Sequence, residues 1–380
     1  MIMNKMVRVI TAFLLFFALS GAQAMASDTI KIGVQAPTTG QYANEGQGID
    51  QGVRLIAEQI NAKGGILGKQ IEIFTCDDEG TAMKAAICAK DLVNKGVIGV
   101  IGSYTSTCAE AAQATYYRAG VLQTTDGTSD TLTEHGYWTF FRNSFPNSAE
   151  ASYTANYFIN VKKYKKIAIV TDFSSYSTGL GSSVEAEIRK LGGNIVYQGK
   201  IKAGAQNYTP VLTKIKSKHP DVIYFSGYYN EAGLLRSQQM QLGVTADFYG
   251  SNACDNPDYI KLAGKFAEGS YLINVPSPEL LPYDLAINFL KDYRAKYKMD
   301  PPSIWTLLNI DGMRAFLYAI EQTGTTDTKK LAEYLHTIKD YPGITGPIQW
   351  APDGNRTGSA HQTYEYQADG SKKIIYPVAN

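Results

Sequence analysis

Two stretches of this chain carry hydroxyl and carboxyl side chains at spacings suited to holding a small polar molecule. Residues 97–102, Val-Ile-Gly-Val-Ile-Gly, read as a short buried strand that breaks into Ser103-Tyr104-Thr105-Ser106-Thr107 and then an Ala-rich helical run to Ala119. Residues 121–125 repeat the device and empty into Asp126-Gly127-Thr128-Ser129-Asp130-Thr131. Hydroxyls donate and accept, and the free N–H groups that open the helix after Thr107 favour an anion such as a carboxylate. Taken singly, Ser106 or Thr107 caps that helix and the second loop is a polar turn. Taken together, the loops lie at the carboxyl ends of adjacent strands, where parallel α/β sheets bind ligands.

Covalent chemistry has little to work with. Only His135, His219, His336 and His361 are present, and none falls in either loop. The chain lacks a Gly-x-Ser-x-Gly elbow, a P-loop and a dinucleotide glycine fingerprint, so an enzyme is not expected. Asp77-Asp78 reads as a helix start rather than an acid/base pair. Tyr116-Tyr117 reads as core packing, whereas Tyr228-Tyr229, at a strand end, reads as an aromatic clamp. The four cysteines fit no common zinc spacing, and no metal or cofactor is expected. One disulfide is expected among Cys76, Cys88 and Cys108, with the pair left open and Cys88 equally readable as a small apolar filler.

These loops need a scaffold, and 380 residues exceed the usual size of a single core. Apolar residues make up 44% and charged residues 19%, ordinary for a globular protein, and a net charge of +1 gives no reason to expect nucleic acid as a partner. At the start, Lys5 and Arg8 precede an apolar run over 9–19 and the small residues of 22–26, the pattern of a cleavable signal peptide over residues 1–26. No cysteine lies near that site, so the expectation is a periplasmic protein without a lipid anchor. From residue 28, strands at 30–34, 71–75, 97–102 and 121–125 alternate with helical stretches, including one from about 47 to 60 behind a loop over 37–46. The alternation restarts with strands at 164–170, 195–198, 222–226, 247–250 and 269–273. Polar, Pro-bearing joins at 142–148 and 274–278 read as interdomain crossings. The tail reads as a hairpin with its turn at Asp353-Gly354, between 348–350 and 363–366.

The sequence resembles the periplasmic binding proteins of the leucine/isoleucine/valine-binding type. Residues 30–39, Ile60-Asn-Ala-Lys-Gly-Gly-Ile-Leu-Gly68, Asp77-Asp78, Val100-Ile-Gly-Ser103, Gly179-Leu180, Gly227-Tyr-Tyr-Asn-Glu231, 240–243, Trp305, Asp311 and Gly346-Pro-Ile-Gln-Trp350 carry the likeness in order. It implies an α/β type I fold of two Rossmann-like lobes with parallel central sheets and three interdomain crossings. Lobe one would take 27–145 plus 276–359, and lobe two 146–275 plus 360–380. It also implies hinge closure on a small ligand and docking of a monomer on the membrane permease of an ABC importer.

The family's carboxylate-binding positions fall on Ser106 and Thr128, beside Tyr104 and Thr107, and the carbonyl that helps hold an ammonium falls near Asp126. Tyr176 and Tyr228 match the tyrosines that close from lobe two. Two departures bear on the ligand: the family's lobe-two glutamate falls on Asn252, expected to offer only a neutral carbonyl, and an aromatic position falls on Glu45. An amino acid with an apolar side chain is therefore expected if Asp126 or Glu45 supplies the missing charge. A plain carboxylate or amide is expected if neither does, and a ligand-sensing module is the alternative to transport.

Overall fold

The computed structural model describes residues 29–377, so the expected signal peptide lies outside the described residues. Strands β1 Ile30–Ala36, β2 Ile71–Asp77, β3 Gly99–Gly102, β4 Leu122–Thr125 and β5 Phe140–Arg142 form an all-parallel sheet in the order β2-β1-β3-β4-β5. β3 and β4 are buried throughout, as expected of central parallel strands covered on both faces. β5 was not foreseen, because three residues after a polar turn show no period. Its ladder with β4 places Arg142 beside Thr125, under the second loop.

A second sheet contains β6 Ile167–Thr171, β7 Ile195–Lys200, β8 Val222–Ser226, β9 Asp247–Gly250 and β10 Tyr271–Asn274, all parallel. Its far edge is antiparallel. The short β11 Tyr341–Gly343 and β12 Gly346–Ile348 pair with each other, while β13 Gln362–Tyr366 and β14 Lys372–Tyr376 extend the order to β14-β13-β10-β9-β8-β6-β7. This corrects the expected tail hairpin. The Asp353-Gly354 turn exists, with Gly354 N–H donating to Ala351 O at 2.9 Å, but it closes only the Trp350–Arg356 bridge. β13 instead buries Thr363, Tyr364 and Tyr366 by pairing with β10. The chain thus passes between the sheets after β5, after β10 and before β13.

The helix expected from residue 47 begins at Ala43 and runs to Asn61. Gly46 reads in the sequence as the end of a loop, yet it, like Gly48 and Gly52, serves close packing inside the helix. A Cβ on Gly46 would lie 2.1 Å from the Pro37 carbonyl oxygen, and one on Gly48 would lie 2.5 Å from Pro302 Cδ. Gly52 approaches Ile310 in the same way, so this helix seats against the long buried helix Ile304–Thr323 that covers β3 and β4. Cys76 and Cys88 form the disulfide, joining β2 to the helix Ala82–Asn94, while Cys108 and Cys254 are free and buried. Among the described residues no helix is long and apolar enough to cross a membrane, and no cluster of metal-ligating side chains occurs.

Candidate functional site

The first loop is built by a cap one residue earlier than the sequence suggested. Thr105, in extended conformation, caps the helix Ser106–Ala119 by accepting from Cys108 N–H at 3.2 Å. Ser106 is thereby free for another task. Its Oγ accepts the N–H groups of Thr128 and Ser129, each at 3.1 Å, and so stitches the two loops together. With both acceptor positions used, the hydroxyl hydrogen remains to be donated.

The second loop is fixed from beneath. The fully buried Arg142 donates to Gly127 O at 2.8 Å and Ser129 O at 2.7 Å, and Ser144 Oγ donates to Asp126 O at 2.6 Å. Burial pulls the Arg142 guanidinium down to about 10, still charged at neutral pH. Nothing in the sequence pointed to Arg142, because its role depends on the unforeseen β5.

Asp126 is 2% exposed, and neither carboxylate oxygen has a hydrogen-bond partner among the described residues. Burial holds its carboxyl well above the usual range; the neighbouring Asn309 amide opposes that shift and the charge of Glu45 adds to it. From the second lobe, Tyr176 sits in the first turn of Ser175–Lys190, and Tyr228 caps Tyr229–Gln241. Tyr176 OH donates to Asn252 Oδ1 at 2.5 Å. The Asn252 carbonyl expected to face the ligand is therefore occupied, and its N–H2 group is what remains for the cleft.

Tyr104, Ser106, Asp126, Thr128, Tyr176, Tyr228 and Asn252 line one cavity between the sheets. Thr107 and Glu45 do not. Thr107 turns away because its Oγ1 accepts from Ser175 N–H at 3.1 Å, a bond from one lobe to the other. Glu45, expected on a loop, lies in the first helical turn of Ala43–Asn61 and is sealed off from the cavity. Its carboxyl receives Asn256 Nδ2 at 2.6 Å and Ser303 Oγ at 2.7 Å, and burial pushes it up to about 8.

Trp305, Gly127 and Ala253 complete the wall and were not singled out as contacts. Trp305 had a usable signal, its place just behind Ser303, a residue suited to start a helix; the Ser303 Oγ accepts the Trp305 N–H at 3.1 Å. Behind the wall the Tyr42 ring lies 4.6 Å from Tyr228 and 5.9 Å from Tyr104. The lobes touch around the cavity through Gln41 Nε2 to Glu231 Oε1 at 2.5 Å and Asn44 Nδ2 to Asn256 Oδ1 at 3.2 Å. The space between these residues, about 10 Å³, holds one water molecule at most.

Residues 29–372 match the sequence profile of a family described as periplasmic binding protein. The leucine-specific-binding protein of Salmonella typhimurium is 28% identical over 367 residues, covering 94% of this chain and 96% of that one. Among solved structures, the branched-chain amino acid transporter substrate-binding protein of Streptococcus pneumoniae in complex with isoleucine superposes with a TM-score of 0.84 at 30% identity, covering 92% of this chain and all (100%) of that one. A leucine-binding protein of Thermotoga maritima superposes with a TM-score of 0.85 at 26% identity, covering 91% and 97%.

Proposed function

The chain belongs to the periplasmic binding protein family, and on that premise we propose that it is the substrate-binding component of an ABC importer, capturing an amino acid in the periplasm by hinge closure. The observation that carries the amino-acid assignment is Asp126, a buried carboxyl on the wall of the cavity with no cation beside it and only the Asn309 amide near enough to act on it. Burial raises this carboxyl because a lone charge there is costly, and an ammonium brought against it would favour its ionised form and pair with it. The acid that relatives of this type carry on lobe two would here have moved to lobe one.

The rest of the amino-acid head suits the neighbouring groups. Ser106 offers its hydroxyl hydrogen, Thr128 its hydroxyl, and the start of Ser106–Ala119 a positive dipole end, all favourable to a carboxylate. Lobe one, 27–145 plus 276–359, would bind first. Lobe two, 146–275 plus 360–380, would then swing Tyr176, Tyr228 and Asn252 over the ligand about the joins at 144–148, 274–278 and near Ala360. A space for one water admits no amino acid, so the lobes must part and the tyrosines shift on entry. The closed monomer would dock on a membrane permease, after a signal peptide over 1–26 had directed export.

Calorimetric titration with leucine and with its des-amino analogue tests the ammonium assignment. Preference for leucine is expected. Equal affinity, or preference for the des-amino acid, would overturn it in favour of a plain carboxylate.

A further inference from the structure

The polar groups on the cavity wall divide by lobe, and lobe two offers the Asn252 amide N–H2 as a donor and the Tyr228 hydroxyl, which can donate or accept. Asn252 is clamped, its backbone N–H on Glu150 Oε1 at 3.3 Å and its Oδ1 under the Tyr176 hydroxyl at 2.5 Å. Its amide N–H2 has no acceptor among the described residues, and the Tyr228 hydroxyl makes no hydrogen bond to them either. From lobe one, Trp305 Nε1 is also buried without a partner on the cavity wall. The remaining surface is aromatic ring and the Ala253 methyl, with no Leu, Ile, Val, Met or Phe lining the cavity.

From this arrangement, and resting on the amino-acid reading above, we propose that the ligand's side chain carries a neutral hydrogen-bond acceptor, as in serine, threonine or asparagine, received by Asn252 and Tyr228. A branched aliphatic side chain would strip water from these donors and return nothing, which is costlier than a poor apolar fit. An acidic side chain fails for another reason. No Lys, Arg or His lines the cavity, while Asp126 stands on its wall and Glu150 directly behind Asn252.

Calorimetry on the full exported protein with L-asparagine, L-serine, L-threonine, L-alanine and L-leucine is the test. At least one of asparagine, serine and threonine is expected to bind about tenfold or more tighter than leucine, a modest discrimination for a hydrogen-bonding site. In Asn252→Ala that ratio is expected to collapse towards unity, whereas a merely structural loss would weaken all ligands alike. Leucine binding as tightly as the three polar amino acids would overturn the proposal and leave the amino-acid reading standing, and the wild-type panel decides this even if the variant does not fold. An unchanged ratio in a folded Asn252→Ala would overturn the role of Asn252. Failure of all five to bind would bring down both the proposal and the reading beneath it.

Discussion

Asn256 of the second lobe donates its side-chain amide to the carboxyl of Glu45 in the first, 2.6 Å away, and Ser303 closes the other oxygen at 2.7 Å. The carboxyl has no exposure to water and no cation beside it, so burial holds it up at about 8 against an ordinary 4.5. In this closed form the carboxyl therefore holds its proton at neutral pH.

Stability should follow. An acid raised in the folded state is bound to a proton there and ionised in the unfolded chain between about 4.5 and 8, so its contribution falls as pH rises through that window. Each such group costs about 1.4 kcal/mol per pH unit inside the window. Glu150, also pushed up to about 8 by burial, acts with the same sign. Glu45→Gln should flatten the decline of urea stability between pH 5 and pH 8 by about one proton. Identical slopes for variant and wild type would show that the carboxyl stays ionised in the closed protein.

Asp126→Asn separates binding from stability. Removing a buried carboxyl without a partner should raise the melting temperature of the ligand-free protein, since a neutral amide costs less to bury. The same change should weaken amino-acid binding by about a hundredfold, because the charge-assisted contact to the ammonium is worth roughly 1.5 to 3 kcal/mol. Ser106→Ala and Thr128→Ala should each cost about ten- to a hundredfold in calorimetry, for the same reason at the carboxylate. A variant at Asp126 that melts lower and binds normally would remove it from the site.

How far the site was legible depended on how local its signals were. Ser106, Asp126 and Thr128 could be read because each follows directly on an apolar strand, and strand ends are where this architecture places ligands. The outcome at Asn252 was not legible: which end of its amide meets the cleft is set by Tyr176, seventy-six residues away in the chain. Glu45 was misplaced for a related reason. Its neighbour Gly46 looks like a helix breaker until Pro37 is seen pressed against it. The two parallel sheets were legible from strand and helix alternation, but β5 is too short to show a period and β13 finds its partner ninety residues upstream.

The Cys76–Cys88 disulfide closes a loop of 12 residues at the outer edge of the first sheet. Cross-links over loops of this size contribute about 2 to 3 kcal/mol, chiefly by restricting the unfolded chain. The double variant Cys76→Ala, Cys88→Ala should lose that much stability in urea. Neither residue touches the cavity, so calorimetric affinity measured well below the unfolding transition should stay as in wild type. A loss of affinity without a loss of stability would mean that β2 and its helix communicate with the cleft.

Thr107 separates closure from recognition. It neighbours Ser106 in sequence, yet its hydroxyl oxygen meets Ser175 N–H at 3.1 Å and Ser175 Oγ at 3.2 Å, both across the gap between lobes, and it does not line the cavity. These contacts exist only when the lobes are together, so they lower the free energy of the closed form whatever ligand it holds. Thr107→Val keeps the shape and removes the hydroxyl, forfeiting about 0.5 to 1.5 kcal/mol of closure. Affinity should fall about two- to tenfold, and by the same factor for every ligand that closes the cleft. Ser106→Ala differs in kind: it unstitches the second loop, a loss felt by every ligand, and in addition removes the donor to the carboxylate, so its loss should be larger for a ligand that bears one. Titrating both variants with an amino acid and with its primary amide distinguishes the two roles. A Thr107→Val variant whose loss depends on which of the two is bound would place that hydroxyl in the recognition surface after all.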